Sequence, residues 1–330
     1  MVATGILVAL MAIAIFDSVT SLHPVQPPFT ISQASLTQTN NGEISLEVHI
    51  TNTGTRPLSV SGTLLNQFVP PLNFQPNVIQ PQLSSIGSSK SVWQLATFDG
   101  SSTYIQTPNS ISLNSRTMSL ETVFKYASLA PDQQMLIGKG QAGQNSFYFY
   151  SFRSANNTND FVVYENNTRY DQQLGDIFAA NVWYDVVFTI DGREITAFVN
   201  GEPMESWSHP ISFLGNQEDL FIGSCSCGGY YFNGSIATIR LYDRALSPSE
   251  VRLNYEDLNP VTAGLSMLYQ LNKTSGDIEQ DLSGQGNNGV INGSLSYHPP
   301  LTWGEYYNVI ITATINQGQE FSLDVAVRLT

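Results

Sequence analysis

The chain has 330 residues and a mass of 36.2 kDa, with 42% hydrophobic residues, 12% charged residues and a formal net charge of −14. That length fits about two domains, and the hydrophobic share is enough for packed cores, which excludes a disordered tail. Thirteen Lys+Arg against 27 Asp+Glu leave nothing to neutralise a row of phosphates, so nucleic acid is excluded as a partner.

From the N-terminus, Val2 to Phe16 is an uncharged apolar run, and Asp17 is the first ionisable side chain. A secretory signal peptide would place a basic residue ahead of such a core, but no Lys or Arg occurs before Arg56. As a helix the run would extend about 22 Å, short of the roughly 30 Å hydrocarbon core of a bilayer. Apolar residues lie all round it, with small Ala3, Gly5, Ala9, Ala12 and Ala14 interleaved, as in a helix enclosed by neighbours. Two readings follow: a filament core packed through Val2, Ile6, Leu7, Leu10, Met11, Ile13 and Phe16, or a retained membrane anchor. His23-Pro24 and Pro27-Pro28 end the helix.

Strand signals follow. Ile44, Leu46, Val48 and Ile50 alternate after the Asn41-Gly42 turn, which predicts a hairpin with one buried face. At the far end Val309, Ile311, Ala313 and Ile315 alternate, then Phe321, Leu323, Val325 and Val327, across the turn Asn316-Gln-Gly-Gln319. Neither end can close a sandwich alone. Residues 25–85 and 301–330 are therefore predicted to form one discontinuous β-domain. Pro70–Pro81 with the Ser-rich SSIGSSKS leads into a long insert, and His298-Pro299-Pro300 leads out. The uncharged apolar N-terminus, with Gly5 at its fifth position, and the phrase Ile50-Thr-Asn-Thr-Gly-Thr-Arg-Pro-Leu58 resemble archaeal type IV pilins and archaellins. The resemblance implies a filament-core helix over 1–24, an immunoglobulin-like pilin sandwich split between 25–85 and 301–330, and membrane residence before assembly into a helical homopolymer.

The insert, 86–300, carries motifs in order: Phe98-Asp99-Gly100, then Val186, Phe188 and Ile190 before Asp191-Gly192, then Ile195, Ala197 and Val199 before Asn200-Gly201. A strand over Ile236–Tyr242 precedes Ser247-Pro248-Ser249-Glu250, which reads as a capped helix start. This order is similar to laminin-G-like (concanavalin A-like) jelly rolls. In that family a phrase like Ala263–Leu271 with Asp281–Val290 normally precedes the Phe-Asp-Gly strand, whereas here it follows. The implied module is circularly permuted, with residues 262–298 supplying its first strands. The expected fold class is thus mainly β, with an N-terminal apolar helix and a jelly roll inserted in a pilin-like sandwich.

Catalysis finds no signal. The Glu-x-Asp-x-x-Glu strand of jelly-roll glucanases is absent, and His23, His49, His209 and His298 lack zinc-site spacing. No enzyme and no required cofactor are expected. The laminin-G-like resemblance implies Ca²⁺ as a candidate ligand of Asp99, Asp281 and Asn287, although Asp and Asn form tight turns without any metal. It also implies surface glycans as partners, with Tyr230 and Tyr231 as candidate contacts. Cys225 and Cys227, the only cysteines, could bridge outside the cell. Asn156, Asn166, Asn233, Asn272 and Asn292 begin N-glycosylation sequons, all within the insert. The function these features suggest is an extracellular, cell-surface filament subunit with an outward adhesive module. The alternative is a membrane-anchored lectin that does not polymerise.

Overall fold

The computed structural model describes residues 27–329, apart from 39–42, 65–71, 93–94, 130–132, 141–145, 153–157, 166, 209–214, 257–259, 273–275, 299–304 and 316–318. The first strands are β1 (Phe29–Gln38), β2 (Glu43–Asn52), β3 (Leu58–Leu64), β4 (Leu72–Ile79) and β5 (Ser84–Val92). There follow β6 (Leu95–Asp99), β7 (Tyr104–Thr107), a 3-10 turn (Ile111–Leu113), β8 (Met118–Tyr126), β9 (Gln133–Lys139), β10 (Ser146–Phe152), β11 (Thr158–Glu165) and β12 (Thr168–Gln173). Next come β13 (Trp183–Ile190), β14 (Glu194–Val199), β15 (Glu202–Ser208), β16 (Leu220–Ile222), β17 (Asn233–Tyr242) and the helix α1 (Pro248–Glu256). The chain finishes with β18 (Leu265–Gln270), β19 (Ile278–Glu279), β20 (Gly289–Asn292), β21 (Ser296–His298), β22 (Tyr306–Ile315) and β23 (Gln319–Arg328). These elements fall into two compact units, one drawn from both ends of the chain and the other spanning Leu95–Tyr297.

In the first unit the strand order is β1-β2-β5-β4-β3-β22-β23, and a parallel bridge between Leu36 and Leu329 brings the two ends of that order together. Every second residue of β2 is buried, so Ile44, Leu46, Val48 and Ile50 join Val309, Ile311, Val325 and Val327 in one core. β4 and β5 run through the stretch read from the sequence as a linker. Serine-rich β5 holds its place by backbone pairing along β2, from Glu43↔Val92 to Thr51↔Ser84.

The second unit stacks two eight-stranded sheets over a single core. One sheet runs β12-β11-β10-β9-β16-β7-β20-β19; it is called the β9 sheet below. The other runs β15-β14-β13-β8-β17-β6-β21, with β18 also on β17, and is called the β17 sheet. Along one edge of β17 lie β6 and β18 end to end, where the Ala96 N–H donates to the Leu271 carbonyl at 2.9 Å. Along the other edge β8 approaches so closely that a Cβ on Gly234 would sit 2.1 Å from the Lys125 carbonyl oxygen. Asn200 and Gly201 both take positive φ, 52° and 79°, the conformation a tight hairpin turn requires between β14 and β15.

α1 is fixed at its start by reciprocal bonds. The Ser247 N–H donates to Glu250 Oε2 at 2.8 Å, and the Glu250 N–H donates back to Ser247 Oγ at 3.4 Å. The helix buries Val251 with Val187, Phe198, Tyr242 and Leu246 on the outer face of the β17 sheet.

The expected fold class needs correction in its helix. The structure is mainly β, and α1 and the 3-10 turn are the helical elements among the described residues. No helix among them is long and apolar enough to cross a membrane. The described apolar runs are strands instead: β22 buries every second residue against one core, while β8, β9, β13 and β17, covered on both faces, are buried almost throughout. The proposed filament-core residues Val2, Ile6, Leu7, Leu10, Met11, Ile13 and Phe16 lie outside the described residues.

Candidate functional site

Strand alternation decides which side chains the β9 sheet turns outward. Ile105 on β7 and Leu220 and Ile222 on β16 enter the core, so Tyr104, Gln106 and Phe221 occupy the opposite face. All three are half-buried. Tyr104 lies between two other rings, with centroids 6.0 Å from Phe221 and 6.4 Å from Tyr231. Those separations suit tilted aromatic contacts and leave ring faces partly open.

Tyr231 reaches this face on the loop that follows β16, with the exposed Tyr230 next to it in the chain. The structure joins Cys225 and Cys227 in a disulfide, and Cys225 packs with Met135 and Val162, whose neighbours Phe161 and Val163 point into the core. The loop is thereby seated on the outer face of the sheet. The Met135 N–H donates to the Tyr230 carbonyl at 2.7 Å, and Ser224 Oγ donates to the Gly229 carbonyl at 2.8 Å. Tyr230 takes a positive φ of 57° and its side chain is 48% exposed.

A polar edge borders the rings. Gln106 Nε2 donates to Asp219 Oδ2 at 2.7 Å, and the Asn109 N–H donates to Asp219 Oδ1 at 2.8 Å. Behind it, Lys139 is buried, and burial pushes its ammonium down to about 8 against the opposing pull of the Asp219 and Glu218 carboxylates. Both oxygens of Asp219 are engaged, so it can accept from a ligand only beside these bonds.

The three residues suggested for Ca²⁺ are not brought together as a set. Asp99 turns back on its own loop: its Oδ1 accepts the N–H groups of Ser101, Ser102 and Thr103 at 2.9–3.0 Å, and its Oδ2 accepts Ser102 Oγ at 2.7 Å. Burial works to raise its pKa, but these hydrogen bonds prevail and hold the carboxyl well below the usual range. Asp281 and Asn287 do meet, through the Asn287 N–H donating to Asp281 Oδ2 at 2.9 Å. Asp281 Oδ1 accepts from the N–H groups of Leu268 and Ser283, while Asn287 Nδ2 donates to Ser112 Oγ and the Ser266 carbonyl. Every one of these side-chain oxygens already accepts a hydrogen bond, and no group of three His, Cys, Asp or Glu suited to a metal occurs among the described residues. These hydrogen bonds are the ones that turn formers make.

Of the sequon asparagines, Asn156 and Asn166 lie outside the described residues. Asn233 opens β17, half-buried, with its N–H donating to Gln134 Oε1 at 2.8 Å. Asn272 follows β18, and Asn292 ends β20, both half-buried. Tyr104, Phe221, Gln106 and Asp219 were not among the residues picked from sequence. Their alternation with core residues was visible, but their meeting with Tyr231 depends on the pairing of β7 with β16, more than a hundred positions apart in the chain.

Residues 99–252 match the laminin G family model described as the concanavalin A-like lectin/glucanases superfamily. The chain therefore carries a laminin-G-like, concanavalin A-like jelly-roll domain. No curated protein matches the chain. Among solved structures it is similar to a candidate carbohydrate binding protein from Bacteroides ovatus ATCC 8483, at 12% identity and a TM-score of 0.52, over 81% of this chain and 94% of that one. It also overlaps the CBM40 of Ruminococcus gnavus IT-sialidase bound to alpha2,3 sialyllactose, at 15% identity and a TM-score of 0.40, over 48% of this chain and 96% of that one. A native heptameric SAP-like pentraxin from Limulus polyphemus gives 13% identity and a TM-score of 0.43, over 62% and 94%. At such identities the first likeness speaks to fold alone, and the two weaker overlaps carry no argument. Neither the family match nor these structures supports the pilin or archaellin identity expected for the flanking segments.

Proposed function

We propose that the jelly roll is a carbohydrate-binding module and that Tyr104, Phe221 and Tyr231 form its sugar platform, with Tyr230 and Gln106 beside them. The observation that carries this reading is the cluster of three partly exposed rings, Tyr104, Phe221 and Tyr231, on the outer face of the β9 sheet. A pyranose has C–H faces that stack on flat rings and a rim of hydroxyls that need donors and acceptors. Rings flanked by an amide and a carboxylate supply both. The likeness to the Bacteroides ovatus protein is consistent with it at the level of fold.

Binding without turnover belongs to the same proposal, because Asp219, the acid bonded to Gln106 of the platform, spends both oxygens on hydrogen bonds to the chain. So does placement outside the cell, which the Cys225–Cys227 disulfide supports. Attachment to a membrane or assembly into a filament would rest on residues 1–24, outside the described residues, and neither the fold nor the likenesses favour polymerisation. Screening the full chain on a glycan array tests the reading, with Tyr104→Ala alongside. Binding to a defined glycan class that Tyr104→Ala reduces about tenfold or more, on the scale of about 1.4 kcal/mol, is expected. Absence of binding to any glycan, or binding untouched by Tyr104→Ala, contradicts it.

A further inference from the structure

Lys139 ends β9 with its side chain turned into the protein, 1% exposed. Its Nζ donates to Asn216 Oδ1 at 2.7 Å, Asn109 Oδ1 at 2.9 Å, Asn114 Oδ1 at 3.1 Å and the Asn216 carbonyl at 3.2 Å. An ammonium has three protons, so at least one is shared between two oxygens. The acceptors come from three separate segments: the turn after β7, the end of the 3-10 turn, and the loop that leads into β16.

The cage is built rather than incidental. Asn114 Nδ2 donates to Asn109 Oδ1 and to the Ser110 carbonyl, while the Asn216 N–H donates to Asn114 Oδ1 and the Glu218 N–H to Asn216 Oδ1. Gly215, at φ 71°, passes so near Asn114 that a Cβ there would lie 2.7 Å from its side chain. These bonds turn three amide oxygens and one carbonyl toward a single point. Four oxygen dipoles converging in a buried place repel one another unless positive charge sits among them.

We propose that Lys139 is a tethered cation: its ammonium fills an oxygen cage of the kind that otherwise takes a soluble cation, and so organises three rim segments of the jelly roll without bound metal. The cage is continuous with the polar edge of the ring platform, because Asn109 also donates its N–H to Asp219. The inference stands apart from the glycan reading, and stability is its readout.

The test compares thermal unfolding of the wild-type chain with Lys139→Met, which keeps length without charge, and Lys139→Ala, which empties the cage. Wild-type Tm should be the same in EDTA and in millimolar n-butylammonium. Lys139→Met should lower Tm by about 5 °C or more, and Lys139→Ala should recover at least half of its own loss when n-butylammonium is added. Lys139→Met at the wild-type Tm, absence of rescue, or a wild-type Tm that falls in EDTA would overturn the proposal. Should neither variant fold, nitrogen-15 NMR of the intact protein decides. A slowly exchanging ammonium signal with contacts to the Asn109, Asn114 and Asn216 side chains at pH 7 supports the tethered cation, and a neutral amine or a freely exchanging ammonium rejects it.

Discussion

On the outer face of the β17 sheet, Glu121, Val187, Phe198, Arg240 and Tyr242 lie beneath α1, whereas on the outer face of the β9 sheet Tyr104, Gln106 and Phe221 stay half-exposed. Both faces belong to one two-sheet core. The covered face even holds charge: Glu121 accepts from Arg240 Nη1 through Oε1 and from Asn254 Nδ2 through Oε2, the latter at 2.6 Å. Asn254 Nδ2 also donates to Tyr242 Oη, which donates in turn to the Val261 carbonyl, so helix and following loop complete a network the sheet cannot satisfy alone. This face is roofed, and Glu121, Arg240, Tyr242 and Asn254 find their hydrogen bonds beneath the helix. The outer face of the β9 sheet is covered only in part, by the Cys225–Cys227 loop over Met135 and Val162, and among the described residues no helix roofs Tyr104 and Phe221; the proposed glycan site uses that difference.

The sharpest way to break the comparison is to spoil the covered face. Glu121→Ala strands the Arg240 guanidinium in a site where it is only 6% exposed, and a loss of about 3–5 kcal/mol is expected in urea unfolding. A loss below about 1 kcal/mol would mean that α1 covers nothing essential. Gly234→Ala probes the closeness of β17 to β8 in the same sheet. Its Cβ would press on the Lys125 carbonyl, so destabilisation of about 1–3 kcal/mol is expected by the same measurement, and unchanged stability would show that the strands can separate freely.

Much of the covered face was legible in the sequence. Ser247-Pro-Ser-Glu250 announced the helix start, and the alternation of Val186, Phe188 and Ile190 announced a strand, because capping and pleating depend on neighbours in the chain. The open face was half legible: Tyr230 and Tyr231 stood out as a pair, while Tyr104 and Phe221 acquired their role through long-range strand pairing. Lys139 gave no signal at all, since an isolated lysine in a strand says nothing about three distant asparagines that surround it. Asp99, Asp281 and Asn287 read from sequence as turn formers ahead of ligands, and their hydrogen bonds in the fold are those of turns.

A smaller effect concerns the cap of α1. The Arg244 guanidinium, with the Ser247 N–H, holds the Glu250 carboxyl at about 2, below its ordinary 4.5. A depressed carboxylate contributes stability above about pH 4.5 and loses it as the pH falls toward about 2. Glu250→Gln should therefore cost up to about 1 kcal/mol near neutrality and flatten the acid limb of the stability curve between those values. An unchanged acid limb in circular dichroism melts would remove the ion pair from the account. The smallest expected effect lies on the open face: Tyr230→Ala should shift stability by no more than about 0.5 kcal/mol, since nearly half of that side chain already faces water. A larger loss in urea unfolding would show that Tyr230 is part of the packing.

The two faces are separated most directly by chemical-shift mapping of the full chain during titration with an oligosaccharide chosen from the array. The account predicts saturable shifts at Tyr104, Gln106, Phe221, Tyr230 and Tyr231, with α1 and Arg240 silent. Shifts centred on α1, or none on the β9 sheet while the glycan is bound, would contradict it.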